Sequence, residues 1–137
     1  MIGIFPVSNT EIGGALAFPD ACKTPTPAGP IPIPYPNIAV TTIADKGTCP
    51  DKVKVCGNPP IVQTSEIPAT LGDQPGVAGG VVSNEFGQNM KPILFSLIAR
   101  AQGKGMVYFC CLTDHNDNNA MLAAMLVPSQ FKVKVLF

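Results

Sequence analysis

The sequence has no tryptophan, one histidine and little charge: 13% of its 137 residues are ionic, nine basic against nine acidic. With a formal charge of zero there is no net field to draw in a phosphate backbone or an anionic lipid surface. Nucleic-acid and membrane-surface roles are therefore poor first readings. A lone imidazole leaves a cysteine-dependent catalyst with no second base to choose from. Long apolar runs are missing as well. The longest, Ala120 to Val127 and Ile93 to Ala99, fall far short of the roughly 18 to 20 residues that a membrane-spanning helix needs. No basic residue precedes the short apolar patch in the opening MIGIFPVSNTEIGG, so no cleavable secretory signal is expected and the protein is expected to be made, and to be soluble, in the cytoplasm.

What is present is apolar content and punctuation. Hydrophobic residues make up 46% of the chain, enough for a core and too many for a charge-rich disordered tail. The length fits one domain and leaves no room for a second. So little charge on so small a domain implies that a large part of its surface is covered by something else. Fifteen prolines and thirteen glycines recur every few residues, which excludes long helices almost everywhere. PDACKTPTPAGPIPIPYP (residues 19–36) alternates proline with apolar or small residues, predicting a rigid extended segment laid over the core, with Ile31, Ile33 and Tyr35 on one side.

Short β signals follow. Ile38 to Ile43 is rich in Val, Ile and Thr, and Lys52 to Val55 alternates at the strand period, with Cys56-Gly57-Asn58-Pro59 as a turn and Ile61 to Thr64 as the returning strand. GDQPGVAGGVVSNEFG (residues 72–87) is a glycine-punctuated loop; lacking Gly-Lys-Ser/Thr, it is not a phosphate-binding loop. Met106 to Leu112 and Lys132 to Val135 read as strands, and Thr113 to Asn119 as a polar loop. Ile93 to Ala101 fits a buried strand or a short helix, and Met121 to Val127 fits either state too. The fold class is therefore mostly β: a small domain of short strands and rigid turns with little helix. Five cysteines (Cys22, Cys49, Cys56, Cys110 and Cys111) form an odd set, which in a reducing compartment reads as thiols or metal ligands before disulfides.

FPDACKTPTPAGPIPIPYPNIA (residues 18–39) resembles the opening signature of the PAAR-like proteins, the spike-tip family of contractile injection systems such as type VI secretion and phage-tail-like particles. Gly72-Asp73 with Pro75-Gly76, the run Gly79 to Ser83, Gly103-Lys104 and Thr113-Asp114-His115-Asn116 resemble later parts of the family pattern, over about residues 18–116. The chain departs where the family has an Arg-x-Gly-Asp step, carrying Tyr108-Phe109-Cys110-Cys111 instead. The resemblance implies a cone-shaped domain over residues 1–137 that is not an enzyme. Its base would cap a VgrG-like trimeric spike as one tip monomer per trimer, its metal-held vertex would pierce the target envelope, and relatives carry effector cargo. The chain reaches Phe137 without a further motif, which is read as a stand-alone tip with flanking ends that pack on the base or the spike.

A pointed vertex has little interior to bury, and a structural Zn²⁺ held by Cys and His ligands replaces the missing core. The resemblance places Cys22 and His115 in turns facing the vertex. Cys49 is the third candidate, because a strand from Lys52 to Val55 running away from the vertex carries Cys56 off with it. The fourth is Cys110 or Cys111, which face opposite ways if both lie in a strand; Cys111 is nearer the His115 loop and is preferred. The expected set is thus Cys22, Cys49, Cys111 and His115 around one zinc, although ligand softness alone does not separate Zn²⁺ from Fe²⁺. Two other classes compete: a small enzyme with Cys111 or Cys22 as nucleophile and His115 as base, and a zinc-stabilised adaptor that binds a peptide along a strand edge. Assembly is expected in the cytoplasm, with delivery out of the cell on contraction.

Overall fold

The structure is a computed structural model that describes residues 4–136. The ends of the expected 1–137 domain, Met1 to Gly3 and Phe137, lie outside the described residues. The described residues form nine strands: β1 (Ile4–Pro6), β2 (Gly14–Thr24), β3 (Ile31–Val40), β4 (Met90–Pro92), β5 (Arg100–Ala101), β6 (Lys104–Gly105), β7 (Leu112–His115), β8 (Ala120–Val127) and β9 (Lys134–Leu136). Two 3-10 turns, Thr41–Ile43 and Lys46–Thr48, follow β3. The main sheet is antiparallel in the order β3-β2-β8-β7-β4, while β1 pairs with β9 and β5 with β6. The mostly β fold class read from the sequence is what the chain forms.

Proline explains where β3 sits. Pro32 pairs with Lys23 and Pro34 with Ala21 across the β2–β3 hairpin. Lys23 and Ala21 direct their backbone groups the other way: Lys23 N–H donates to Gly79 O, and Ala21 O accepts from Val81 N–H. These are the non-hydrogen-bonded positions of the hairpin, so the proline nitrogens face the outer edge, where no donor is required. The proline-rich segment is extended as expected, but it does not lie over the core: its first part belongs to β2, residues 31–36 are the edge strand of the hairpin, and Ile31 and Ile33 are exposed. An edge stripped of donors along Pro32, Pro34 and Pro36 cannot template pairing with another strand there.

Several local expectations change in the structure. Met121 to Val127 lies in a strand, β8, between β2 and β7. Ile93 to Ala101 forms neither a buried strand nor a helix; it is bends ending in β5, with Leu97 and Ile98 exposed. The expected hairpin between 52–55 and 61–64 shrinks to a two-residue turn in which Val55 and Asn58 exchange hydrogen bonds across Cys56 and Gly57, both at positive φ. That is the backbone a tight hairpin turn demands. Ile61 and Val62 turn instead to Ser8 and to the 105–107 segment. Met106 to Leu112 is broken by a turn at Tyr108 to Cys111, with Cys110 at φ 70, so the two cysteines are not neighbours in one strand.

The apolar core gathers Val7, Ile61, Val62, Ile67, Met90, Val107 and Met125 on the inner side of the sheet. Beyond the end of β8 near Ala120, small alanines (Ala17, Ala120 and Ala123) give way to a buried polar layer of Asp20, Asn37, Asp73, His115 and Asn116. On the outer side, the row Ile38, Leu16, Ala124, Leu112 crosses four strands in register, and Phe18, Leu122 and Leu126 widen it. Leu122 is 78% exposed and Phe18 58%. No charged residue lines this shallow groove.

Candidate metal centre

The polar layer is built by three segments. Asp20 and Cys22 are two residues apart on β2, so their side chains leave the same face of the strand. Asp73 arrives on the glycine-punctuated loop, which takes over pairing with β2 at Lys23 and Ala21 where β8 has ended. The third segment is the β7–β8 turn. Asn116, Asp117 and Asn118 all take positive φ (52, 51 and 68), a conformation that Asn and Asp tolerate better than other side chains. The asparagine-rich loop is thus a backbone requirement that also aims Asn116 and Asn119 at β2.

Asp20, Cys22 and Asp73 each offer a ligand atom within 4.8 Å of the others, and each is buried, with 0% exposure. Cys22 Sγ lies 3.6 Å from Asp20 Oδ1 and 3.7 Å from Asp73 Oδ2. Amides hold the acids in place. Asn37 Nδ2 donates to Asp20 Oδ2 at 2.5 Å, Asn116 Nδ2 to Asp20 Oδ1 at 3.4 Å, and Asn119 Nδ2 donates to Asp20 Oδ1 as well. Gly87 N–H donates to Asp73 Oδ2 at 2.9 Å, while Asp73 Oδ1 has no hydrogen-bond donor among the described residues. The loop can approach only because of its glycines. A Cβ on Gly76 would collide with Cys22 Cβ, and one on Gly80 with the Asn119 amide.

The electrostatics are those of crowded acids. Burial, then the charges of Asp20 and Asp73, push the Cys22 thiol up to about 12. Burial also raises Asp73, against the Gly87 hydrogen bond, which lowers it. A bound cation would invert this, since metal coordination deprotonates a thiol outright.

Of the four ligands expected from the sequence, the structure puts only Cys22 in this group, and among the described residues Cys22, Cys49, Cys111 and His115 form no group of three within ligand reach. Cys49 follows the second 3-10 turn and lies 3.3 Å from Ser65 Oγ, inside the apolar core. Cys111 is buried in the turn that closes on Tyr108, whose N–H reaches its sulfur at 3.4 Å; burial pushes its thiol up to about 11. Cys56 and Cys110 are exposed. His115 is buried within the polar layer, with Nε2 3.2 Å from Thr113 Oγ1. Burial pushes the imidazole down to about 4, with the Asp20 charge and the Asn37 backbone opposing. The physical reason for the dispersal is the turn at Tyr108 to Cys111, which directs Cys111 into the core, together with the tight Cys56–Gly57 turn, which leaves Cys49 with no strand to hold it at the polar end.

Sequence reasoning missed Asp20, Asp73, Asn116 and Asn119 as site residues. Asp20 was discoverable: an acid two residues before a candidate ligand in an extended segment shares its face.

Comparison with known proteins adds three findings. The family described as Toxin PAAR-like domain matches residues 13–122. A curated relative from Pseudomonas aeruginosa, the DNase toxin Tse7, is 31% identical over 107 residues, covering 73% of this chain and 27% of that protein, so the chain spans about a quarter of the relative's length. No solved structure matches.

Proposed function

The chain belongs to the Toxin PAAR-like domain family, the PAAR-like proteins of contractile injection systems, and on that premise we propose that it is the tip of such a system's trimeric spike. One monomer would cap each VgrG-like trimer, sharpen it for piercing the target envelope, and travel out of the cell on contraction after assembly in the cytoplasm. The observation that carries the reading is the uncharged outer face of the main sheet. Leu16, Phe18, Leu112, Leu122 and Leu126 stand open to solvent there, and contiguous apolar surface of this kind marks a protein-contact site. In this reading residues 1–137 act as one tip domain. The end segments, of which β1 and β9 pair with each other, extend the contact surface. One structural ion, with zinc as the first choice, pins the polar end of the sheet.

The role is structural and not enzymatic. Neither Cys22 nor Cys111 hydrogen-bonds His115 among the described residues; Cys111 is engaged by Tyr108, and the imidazole is held neutral in the interior. A nucleophile and base need mutual hydrogen-bond reach and access to substrate. The DNase activity in the Pseudomonas relative's name belongs to a protein about four times the matched length.

The test is binding of the purified chain to an immobilised trimeric spike protein. Leu122→Asp, at a position 78% exposed, leaves the fold intact and weakens binding about 10-fold or more, because burying a leucine is worth about 1.5–3 kcal/mol and a buried carboxylate adds a further cost. Unchanged binding of Leu122→Asp would remove this face from the interface.

A further inference from the structure

We infer that Asp20, Cys22 and Asp73 together hold a divalent cation through two carboxylate oxygens and one thiolate sulfur, in place of the cysteine and histidine set that the family resemblance implies. The inference deepens the spike-tip reading, on which its biological meaning rests, by naming the ligands at the polar end of the sheet. Four observations carry it.

The spacing fits an ion. For Zn²⁺ with a sulfur at about 2.3 Å and an oxygen at about 2.1 Å, the tetrahedral S···O edge is about 3.6 Å. Cys22 Sγ lies at 3.6 and 3.7 Å from its two carboxylate oxygens. A thiol has one proton and can donate to only one of the two acids, leaving the other sulfur–oxygen contact without one.

The second observation is the orphaned oxygen. Asp73 Oδ1 is fully buried and has no donor among the described residues, although its carboxyl carbon is fixed through Oδ2 by Gly87 N–H. A buried carboxylate oxygen without a partner carries a full desolvation penalty, and a cation bound to the same carboxylate offsets it.

Third, the charge balance calls for a cation. Among the described residues, Asp20 and Asp73 take hydrogen bonds from the Asn37, Asn116 and Asn119 amides, the Gly87 N–H and the Cys22 thiol, with no lysine or arginine among these donors. Acids packed this closely in the interior are held by a paired cation or a metal.

Fourth, the surrounding amides are arranged as ligand supports. Asn37, Asn116 and Asn119 all present Nδ2 to the group, and Asn116 and Asn119 reach both Asp20 and the Cys22 sulfur. Donors behind carboxylate and thiolate ligands orient them. The single thiolate selects a borderline-soft ion over Mg²⁺ or Ca²⁺, and zinc is the member of that class that best suits a small mixed oxygen and sulfur shell.

The experiment uses the full chain, untagged, stripped with a chelator and reloaded with Zn²⁺ alone. The inference expects one zinc per chain and an X-ray absorption spectrum of the loaded wild type showing one sulfur scatterer, with oxygen in the remaining positions. Asp73→Asn and Cys22→Ser should each weaken zinc binding about 100-fold, whereas Cys49→Ala and Cys111→Ala should retain one zinc. No zinc uptake, two or more sulfur scatterers, or loss of zinc in Cys49→Ala would overturn it. The absorption spectrum needs only the wild type, so it decides even if a variant fails to fold. Binding to the spike trimer is measured separately: zinc held by these ligands without docking would overturn the spike-tip reading and leave this inference standing, and docking without zinc would do the reverse.

Discussion

Gly76→Ala should damage the polar end of the sheet through sterics alone. Gly76 does not have the positive φ that favours glycine, so alanine meets no backbone penalty there. The new methyl instead collides with Cys22 Cβ and sits 3.2 Å from the Asp73 carbonyl oxygen and 3.3 Å from Tyr35 Cε2. The closest neighbour cannot give way, because Cys22 is fixed in β2 and buried, and the Asp73 oxygen belongs to the backbone. Overpacking of this kind costs about 1–3 kcal/mol. At roughly 3–5 °C per kcal/mol for a domain of this size, a cost of about 2 kcal/mol lowers Tm by about 6–10 °C. Calorimetry on the wild type and on Gly76→Ala measures it directly. Gly103→Ala is the comparison: Gly103 has φ +79 and nothing within 4 Å of the added methyl, so only the conformational cost of about 1 kcal/mol applies. If Gly76→Ala melted within about 2 °C of the wild type, the close approach of the loop to Cys22 would be refuted.

Two further outcomes follow from the cysteines. Titration of the native protein with a thiol reagent at pH 8 should show two fast thiols, Cys56 and Cys110, and three slow ones, Cys22, Cys49 and Cys111, in line with their exposure; four or five fast thiols would contradict the packing. Burial holds the Cys111 thiol at about 11 in the folded chain against an ordinary 9.0. Below pH 9 both states keep the proton, and between 9 and 11 only the unfolded state loses it, so stability falls as pH rises through that window. In Cys111→Ala that part of the alkaline slope should vanish, and an unchanged slope would reject the assignment.

How much of this was legible in the sequence depends on whether the cause was local. The proline alternation in β3 dictates an extended, rigid backbone whatever surrounds it, and the Asn116 to Asn118 run dictates a turn; both could be read in place. Pairing could not. That β3 is an edge strand, and that its prolines face outward, depends on β2 and on the 78–81 loop, which no local pattern names. Met121 to Val127 fits helix or strand on its own, and its place between β2 and β7 settles the matter. At the candidate centre Cys22 was legible because its motif is specific. Asp73 lies 51 positions away in sequence on a loop with no periodicity, and only the close approach at Gly76 brings it to Cys22. Cys49 and Cys111 are small apolar residues in the core, which is where free cysteine is most often found.

The central claim is that one copy of this chain seats on one trimeric spike. Native mass spectrometry of the chain mixed with a trimeric spike protein tests it most directly. The account predicts a single complex of three spike subunits and one chain, unchanged by excess chain. Three chains per trimer, or no complex with any spike trimer at micromolar concentration, would contradict it.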